Sequence, residues 1–503
     1  EPYHGFTIGV QTQANGATEK DRDSKLIWSI YDTSDASWKN PRLFGTGVFY
    51  EIGRTDVPLP KRQNLPRVVK RKTMPLDKLP LVRVNQVGYF PAGPKLAVVV
   101  TDEASPLEWD ILDSAGKKVA SGKTIPMGKD LSSGDPIHHV DFTQFRKAGT
   151  GYTLVVGKAT SFPFDIAPDV YAGLRKDAMA YFYQSRMGIP LTAEYAGAAW
   201  ARSAFFVSDE SVKAADYPVF PAKDYAELPY TLNAGKGWMD AGDYGKYIVN
   251  GGITLWTLLN AYERNPRLFP DGSLKIPENA NGVPDILDET RWELEFFLGM
   301  QVPDGQKDAG MVHHKLHEKK WLPLPYKAPE RTDDRYAMKV STAATLNFAA
   351  ATAQAARLYA GFDKAFADRC LAASEKAWNA ALKNPARLFY YVSDDGGGDY
   401  DDVKVADEFF WASCELWLST GKAEYRDYLE KALASKEFDS VMSSPNGPMY
   451  WGSTSGLGML SLMTKKSALG SGALKTVKAD LMAGADRYLS QIKDEGYRAP
   501  FFE

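Results

Sequence analysis

The chain has 503 residues, enough for two or three domains with a large core. Its 60 basic and 63 acidic side chains leave a net charge of −3 and no long basic face, which argues against nucleic acid as a partner. Cys370 and Cys414, the two cysteines, sit in apolar helical surroundings and read as buried free thiols, and with no apolar run of 18 residues nothing is expected to span a membrane.

In chain order, residues 1–80 form an extension with no assignable function: a polar zone with one expected strand from Leu43 to Ile52, then a Pro-, Lys- and Arg-rich linker from Pro58 to Pro80. The start, Glu1-Pro2-Tyr3, fits a processed chain that is secreted or periplasmic. Residues 81–166 alternate short β-rich runs with turns such as Ser114-Ala115-Gly116. Strands are expected over 95–101, 108–112, 138–142, 152–156 and 161–166, which suggests a small β-sandwich. His138 and His139 on one of these strands read as packing or surface residues.

From 167 to 503 the pattern is helical. Nine helices are expected, near 170–186, 243–262, 284–301, 340–360, 364–382, 405–420, 423–435, 455–466 and 474–492, with long loops at 190–235 and 302–339. Loops of that length usually build a site. Sequential helical hairpins with long loops at one end suggest an α/α toroid.

Gly237 to Tyr247 reads Gly-Trp-Met-Asp-Ala-Gly-Asp-Tyr-Gly-Lys-Tyr and sets Asp240 and Asp243 three apart before an apolar helix. Two carboxylates so placed can share one space, and inverting hydrolysis of a glycosidic bond needs a carboxylate to deprotonate water. The structural alternative is an N-cap aspartate beside a second acid favoured by the helix dipole. Aromatic residues make up 12% of the chain, which suits stacking on sugar rings and equally fills cores.

These residues resemble glycoside hydrolase family 9, the inverting β-1,4-glucanases, in the subgroup with an N-terminal immunoglobulin-like domain. The likeness runs from Val82 to the end of the chain. It is carried by Val84-Asn85-Gln86-Val87-Gly88-Tyr89, by Gly237–Tyr247, by Asn281–Glu289, by Ser341–Thr345 and by Asp407–Ala412. The resemblance implies an immunoglobulin-like sandwich followed by an (α/α)6 barrel, incomplete in this chain. It also implies Asp243 as general base and Asp240 as its partner in orienting the water. His314 is implied as a sugar ligand, with a surface histidine cluster of His313, His314 and His317 as the alternative. Trp451, before a helix, is a stacking candidate, whereas Trp238 and Trp411 read as packing residues.

The family's general acid is a Glu near the end of the catalytic domain, expected beyond residue 503; Glu503 does not match its context. A nicked enzyme completed by a separate C-terminal polypeptide, an incomplete sequence, and a true truncation all stay open. No cofactor is required by this chemistry. Some relatives bind calcium where Asp407 and Glu408 stand, and the acidic run Asp394–Asp402 offers oxygen ligands nearby; a solvated acidic turn and a capped helix start are the alternative. The substrate implied is cellulose or a related β-glucan. Exo action on amino-sugar or short β-linked oligosaccharides, and non-catalytic carbohydrate binding, are the other readings.

Overall fold

The computed structural model describes strands within residues 6–50 and residues 79–499, except 217–225, 320–333, 391–395, 436–437, 439–448 and 466–468. The chain divides into two compact units, 1–78 and 79–503. In the first, β1 (Phe6–Gln11), β2 (Lys25–Asp32) and β3 (Arg42–Tyr50) form an antiparallel sheet in that order, with Trp28 opposite Val10 and Gly47. Sequence reading anticipates a strand near the last of these and misses the first two. The stretch expected as a linker lies almost wholly outside the described residues.

The second unit begins as two packed sheets. One has the order β4-β5-β9-β8, from Val82–Arg83, Leu96–Val100, Pro136–Asp141 and Ile125–Lys129. The other runs β11-β10-β6-β7, from Ala159–Thr160, Gly149–Val156, Glu108–Leu112 and Lys118–Lys123, with β12 (Phe164–Ile166) also on β10. Alternation explains the packing: Tyr152, Leu154 and Val156 on β10 and Trp109 and Ile111 on β6 face one core. Gly122 lies across from Trp109, where a Cβ would meet the indole at 2.5 Å. His138 is buried between Thr124 Oγ1 (2.8 Å) and the Glu103 carbonyl (2.7 Å), a packing role.

Ten helices follow among the described residues: α1 (Ala172–Ser185), the single-turn α2 (Ala193–Ala196), α3 (Ile248–Arg264), α4 (Asp285–Gly299), α5 (Thr342–Tyr359), α6 (Lys364–Lys383), α7 (Ala406–Thr420), α8 (Ala423–Ser435), α9 (Ser455–Thr464) and α10 (Ser471–Asp494). Apart from α2, they are the nine expected from periodicity. Two classes alternate. Ala-rich α5, capped by Ser341 Oγ on the Ala344 N–H at 3.0 Å, is buried on every face, and α7 nearly so. By contrast α6 buries one stripe, Phe366, Cys370, Ser374, Ala377 and Ala381, and so does α8 with Tyr425, Leu429 and Leu433. Helices buried all round form an inner layer, and striped helices lean on them from outside. Cys370 and Cys414 are free thiols within this core.

Two expectations need correction. The stretches taken as long loops carry β13 (Val212–Asp216), β14 (Ala226–Leu232), β16 (Val312–Glu318) and β17 (Arg335–Ser341), joined with β15 (Lys246–Tyr247) in a sheet of order β14-β13-β17-β16-β15. Their pattern hides this, because β16 buries every residue, charged ones included, and shows no alternation. The helix expected from 243 starts at Ile248: Gly237 (φ 99°) and Tyr244 (φ 57°) are left-handed, so the aspartate pair lies in a loop instead of a helical turn.

After α10 the chain returns to the sandwich. Gly496 donates its N–H to Asp130 Oδ1 (3.0 Å) and accepts from His139 Nε2 (2.6 Å), and Tyr497 donates to Asp135 Oδ2 (2.5 Å). Within the helical core, Arg357 on α5 pairs with Glu263 on α3 (2.8 Å) and Glu415 on α7 (2.7 Å), all three nearly dry. Removing one partner of a buried pair strands the others. Arg357→Met is expected to cost about 3–5 kcal/mol in urea unfolding, well beyond the loss from Lys364→Met at the exposed Lys364–Asp368 pair.

Candidate active site

The loop that carries the aspartate pair is stapled before the pair is reached. Gly237 accepts from the Met187 N–H (2.9 Å), and Met239 donates to the Ser185 carbonyl (3.0 Å), so Trp238 pairs with Arg186 as a bridge. A Cβ at Gly237 would strike Phe296 at 2.8 Å. Lys246, fully buried, donates to the carbonyls of Ala234 (2.5 Å) and Lys236 (2.7 Å) and pairs with Asp209 Oδ2 at 2.9 Å. Arg335 holds the other oxygen of Asp209 at 2.9 Å, the Tyr244 carbonyl at 3.0 Å and Glu318 at 2.9 Å. Burial opposes the charge on Arg335, but Asp209 and then Glu318 outweigh it and hold the guanidinium above its usual range.

Within this frame Asp240 and Asp243 are brought together with two tyrosines that sequence reasoning missed. Asp240 Oδ1 accepts from Asn250 Nδ2 (2.9 Å) on α3, and its Oδ2 accepts from the Tyr400 hydroxyl (2.8 Å). The Tyr247 hydroxyl donates to Asp243 Oδ2 and accepts from the Gly398 N–H at 2.9 Å. The close approach needs glycine on both sides, since a Cβ at Gly245 or Gly397 would lie 2.3 or 2.5 Å from that hydroxyl. Burial, then the charge of Asp243, raises the Tyr247 phenol far above its ordinary range, so it stays a donor. Burial, with the hydrogen bond to Asp240 next, does the same for Tyr400. The rings of Tyr247 and Tyr400 meet edge to face at 4.7 Å.

Trp451 completes the row. It is half-buried, with its ring 5.4 Å from that of Tyr400, which places it beside the aspartate pair. Trp411 and Trp238 are buried, the packing roles expected of them. His314 is corrected from a loop to strand β16. It is fully buried, with Nδ1 on Ser341 Oγ (2.8 Å), Nε2 against the carbonyls of Asp399 and Tyr400 (3.1 Å each) and its ring stacked on Phe389 at 4.0 Å. Both nitrogens are engaged by protein, and burial pushes the imidazole down to about 3, so in this arrangement His314 supports the loop of Tyr400.

Asp407 and Glu408 start α7 beside Asp402, and all three carboxyls are buried. Asp407 Oδ2 accepts from the Thr454 N–H (2.7 Å), while Asp402 Oδ2 and both Glu408 oxygens are buried without a hydrogen-bond partner. Burial and then the charge of Asp407 push Asp402 up to about 7, and burial and then Asp402 carry Glu408 well above its usual range. Three dry carboxyls, two of them with orphaned oxygens, are a donor set whose chemistry suits a hard cation. As their side chains stand, no three His, Cys, Asp or Glu residues among those described are grouped closely enough to cage one.

Comparison with known proteins agrees with this geometry. The family model described as glycosyl hydrolase family 9 matches residues 171–499, and that of the cellulase N-terminal ig-like domain matches 77–161. The chain is 43% identical over 468 residues to a cellulose 1,4-beta-cellobiosidase of Acetivibrio thermocellus, covering 86% of this chain and 52% of that protein. It is 41% identical over 433 residues to endoglucanase C of Cellulomonas fimi, with 84% and 38% covered. The chain thus spans about half or less of the length of these relatives. Among solved structures, a Bacteroides ovatus family 9 enzyme superposes with a TM-score of 0.73 at 31% identity, covering 84% of this chain and 76% of that one. A metagenome-derived family 9 endoglucanase gives 0.72 at 33%, with 84% and 75% covered. With its β-sandwich followed by a layered helical domain whose loops hold an aspartate pair, the chain belongs to glycosyl hydrolase family 9.

Proposed function

We propose that the protein hydrolyses β-1,4-glycosidic bonds of cellulose or a related β-glucan with inversion at the anomeric carbon. The observation that carries this reading is the aspartate pair, each member oriented by its own tyrosine. In the reaction Asp243 takes a proton from water as the water oxygen adds to the anomeric carbon. Asp240, fixed at both oxygens, holds that water's position. A second carboxylic acid, about 6.5–9.5 Å away across the bond, protonates the leaving oxygen. Tyr247 fixes the rotation of the Asp243 carboxylate, and Trp451 offers a ring face to the sugar. A polymeric substrate lies outside the cell, which supports a secreted or periplasmic enzyme; no helix among the described residues is long and apolar enough to cross a membrane. Release of cellobiose from chain ends is the second reading, favoured by the relative named as a cellobiosidase.

Calcium, in this reading, is a structural ion held by Asp407 and Glu408 with Asp402, supplying charge compensation to three buried carboxyls and taking no part in bond cleavage.

Two tests follow from these roles. Asp243→Asn in the full-length protein is expected to lower kcat on cello-oligosaccharides by about 10²–10⁴-fold, with circular dichroism unchanged. Proton NMR of the wild type should show the α-anomer first, and near-normal turnover by the variant would sink the assignment. Millimolar calcium is expected to raise Tm, by about 2.7 kcal/mol of stabilisation at a hundredfold excess over Kd. Glu408→Gln should abolish that increment; an equal increment in the variant would place the ion elsewhere, and no increment in the wild type would mean no calcium site.

A further inference from the structure

On α4, one turn apart, Glu289 and Glu293 face the loop of the aspartate pair, and both bind one residue. Glu289 Oε1 accepts from the indole Nε1 of Trp238 at 2.9 Å, and Glu293 Oε2 accepts from the backbone N–H of Trp238 at 2.6 Å. Four residues advance a helix by about 6 Å, close to the span between a tryptophan's indole and backbone donors. Trp238 stands two residues before Asp240.

The two carboxyls differ in their remaining surroundings. Glu289 is matched by Arg186, which donates to it at 3.1 and 3.0 Å and also clasps Glu278. Glu293 has nearby charge from Lys246, but that ammonium is bonded to Ala234, Lys236 and Asp209. Space for the second oxygen of Glu293 comes from α3: a Cβ at Gly251 would lie 2.6 Å from it. Glycine in a helix interior is unfavourable unless something needs the room. Glu293 also shares a cavity of about 120 Å³ with Asp240, Asn250 and Thr254, lined too by Trp238 and Tyr247.

We propose that Glu293 is a positioning residue for the hydrolysis, holding Trp238 and thereby fixing where Asp240 and Asp243 present their carboxylates. The inference rests on the reading of Asp243 as base. Its physical basis is that a neutral carboxyl accepts the Trp238 N–H without placing a second negative charge in the cavity of Asp240. Burial, despite the opposing Trp238 N–H and Lys246, raises Glu293 to about 8, with Asp240 and Glu289 pushing the same way; Tyr181 and Tyr247 are the other titratable groups that line the cavity. Ionisation above that pH sets like charges together and disturbs the loop.

The test compares Glu293→Ala and Glu293→Gln in the full-length protein. Alanine removes the acceptor and is expected to lower kcat about 10–100-fold at pH 6 with KM within about twofold, the cost of a misplaced catalytic group. Glutamine keeps an acceptor and stays neutral, so it should recover most of that loss and extend activity to more alkaline pH. Stability gives an independent readout. A carboxyl raised in the folded state makes native protein bind the extra proton, so stability falls as pH rises from about 4.5 through about 8. The Tm of Glu293→Gln relative to wild type should therefore climb between pH 5 and pH 8. Equal impairment of both variants at pH 6, or wild-type kcat in Glu293→Ala, would overturn the proposal. Failure of the functional reading is told apart by Asp243→Asn: if that variant stays active, the base is misassigned whatever Glu293 does.

Discussion

Asp209 is the anchor on which the site depends. One buried carboxylate takes Lys246 on one oxygen and Arg335 on the other, and so joins three segments that are up to 126 residues apart. Lys246 then reaches back to Ala234 and Lys236, and Arg335 reaches Tyr244, so the loop of the aspartate pair is closed from both sides by groups that water does not reach. Buried charges of this kind are a poor source of net stability, because desolvation offsets their attraction. Their effect is geometric. Any other arrangement leaves a dry ion without its partner, so the loop has one acceptable path.

On that path, orientation comes in layers. Carboxyls of α4 hold Trp238, the Arg186 bridge holds its main chain, and the aspartates are then set by two tyrosines whose rings touch. Tyr247 lies four residues beyond Asp243 on β15, whereas Tyr400 stands 160 residues from the Asp240 it binds. Glycines 245, 397 and 251 contribute absence, each leaving room for an oxygen that a methyl group would displace.

Much of this was legible in the sequence, for reasons that can be named. The helices showed because α6 and α8 carry stripes of 3.6-residue period and α5 is rich in alanine. The aspartate pair showed because Asp240 and Asp243 stand in a distinctive glycine-rich setting. The loop form of that setting did not, since the positive φ of Tyr244 is set by tertiary contacts. Strands β16 and β17 were hidden by burial on both faces, which erases alternation, and with them went the true place of His314. Tyr400 was unreadable because nothing local marks a tyrosine that will cross to a distant carboxylate. Glu293 was equally silent, an acid among acids on α4.

The return of the chain after α10 bears on how the molecule is made. His139 and Gly496, hydrogen-bonded in the finished protein, are 357 residues apart, and Arg83 and Tyr497 are 414 apart. Closing a loop of that size carries a high entropic cost until the intervening structure has formed. A ribosome adds about 5–20 residues per second, so roughly twenty seconds or more separate synthesis of the sandwich from emergence of its last strap. During that interval the face of Asp130, Asp135 and His139 is exposed to water. What the strap later covers is mostly hydrogen-bonding groups, Asp130, Asp135 and His139, with Ile137 beside them, so water can serve most of that face until Gly496 arrives.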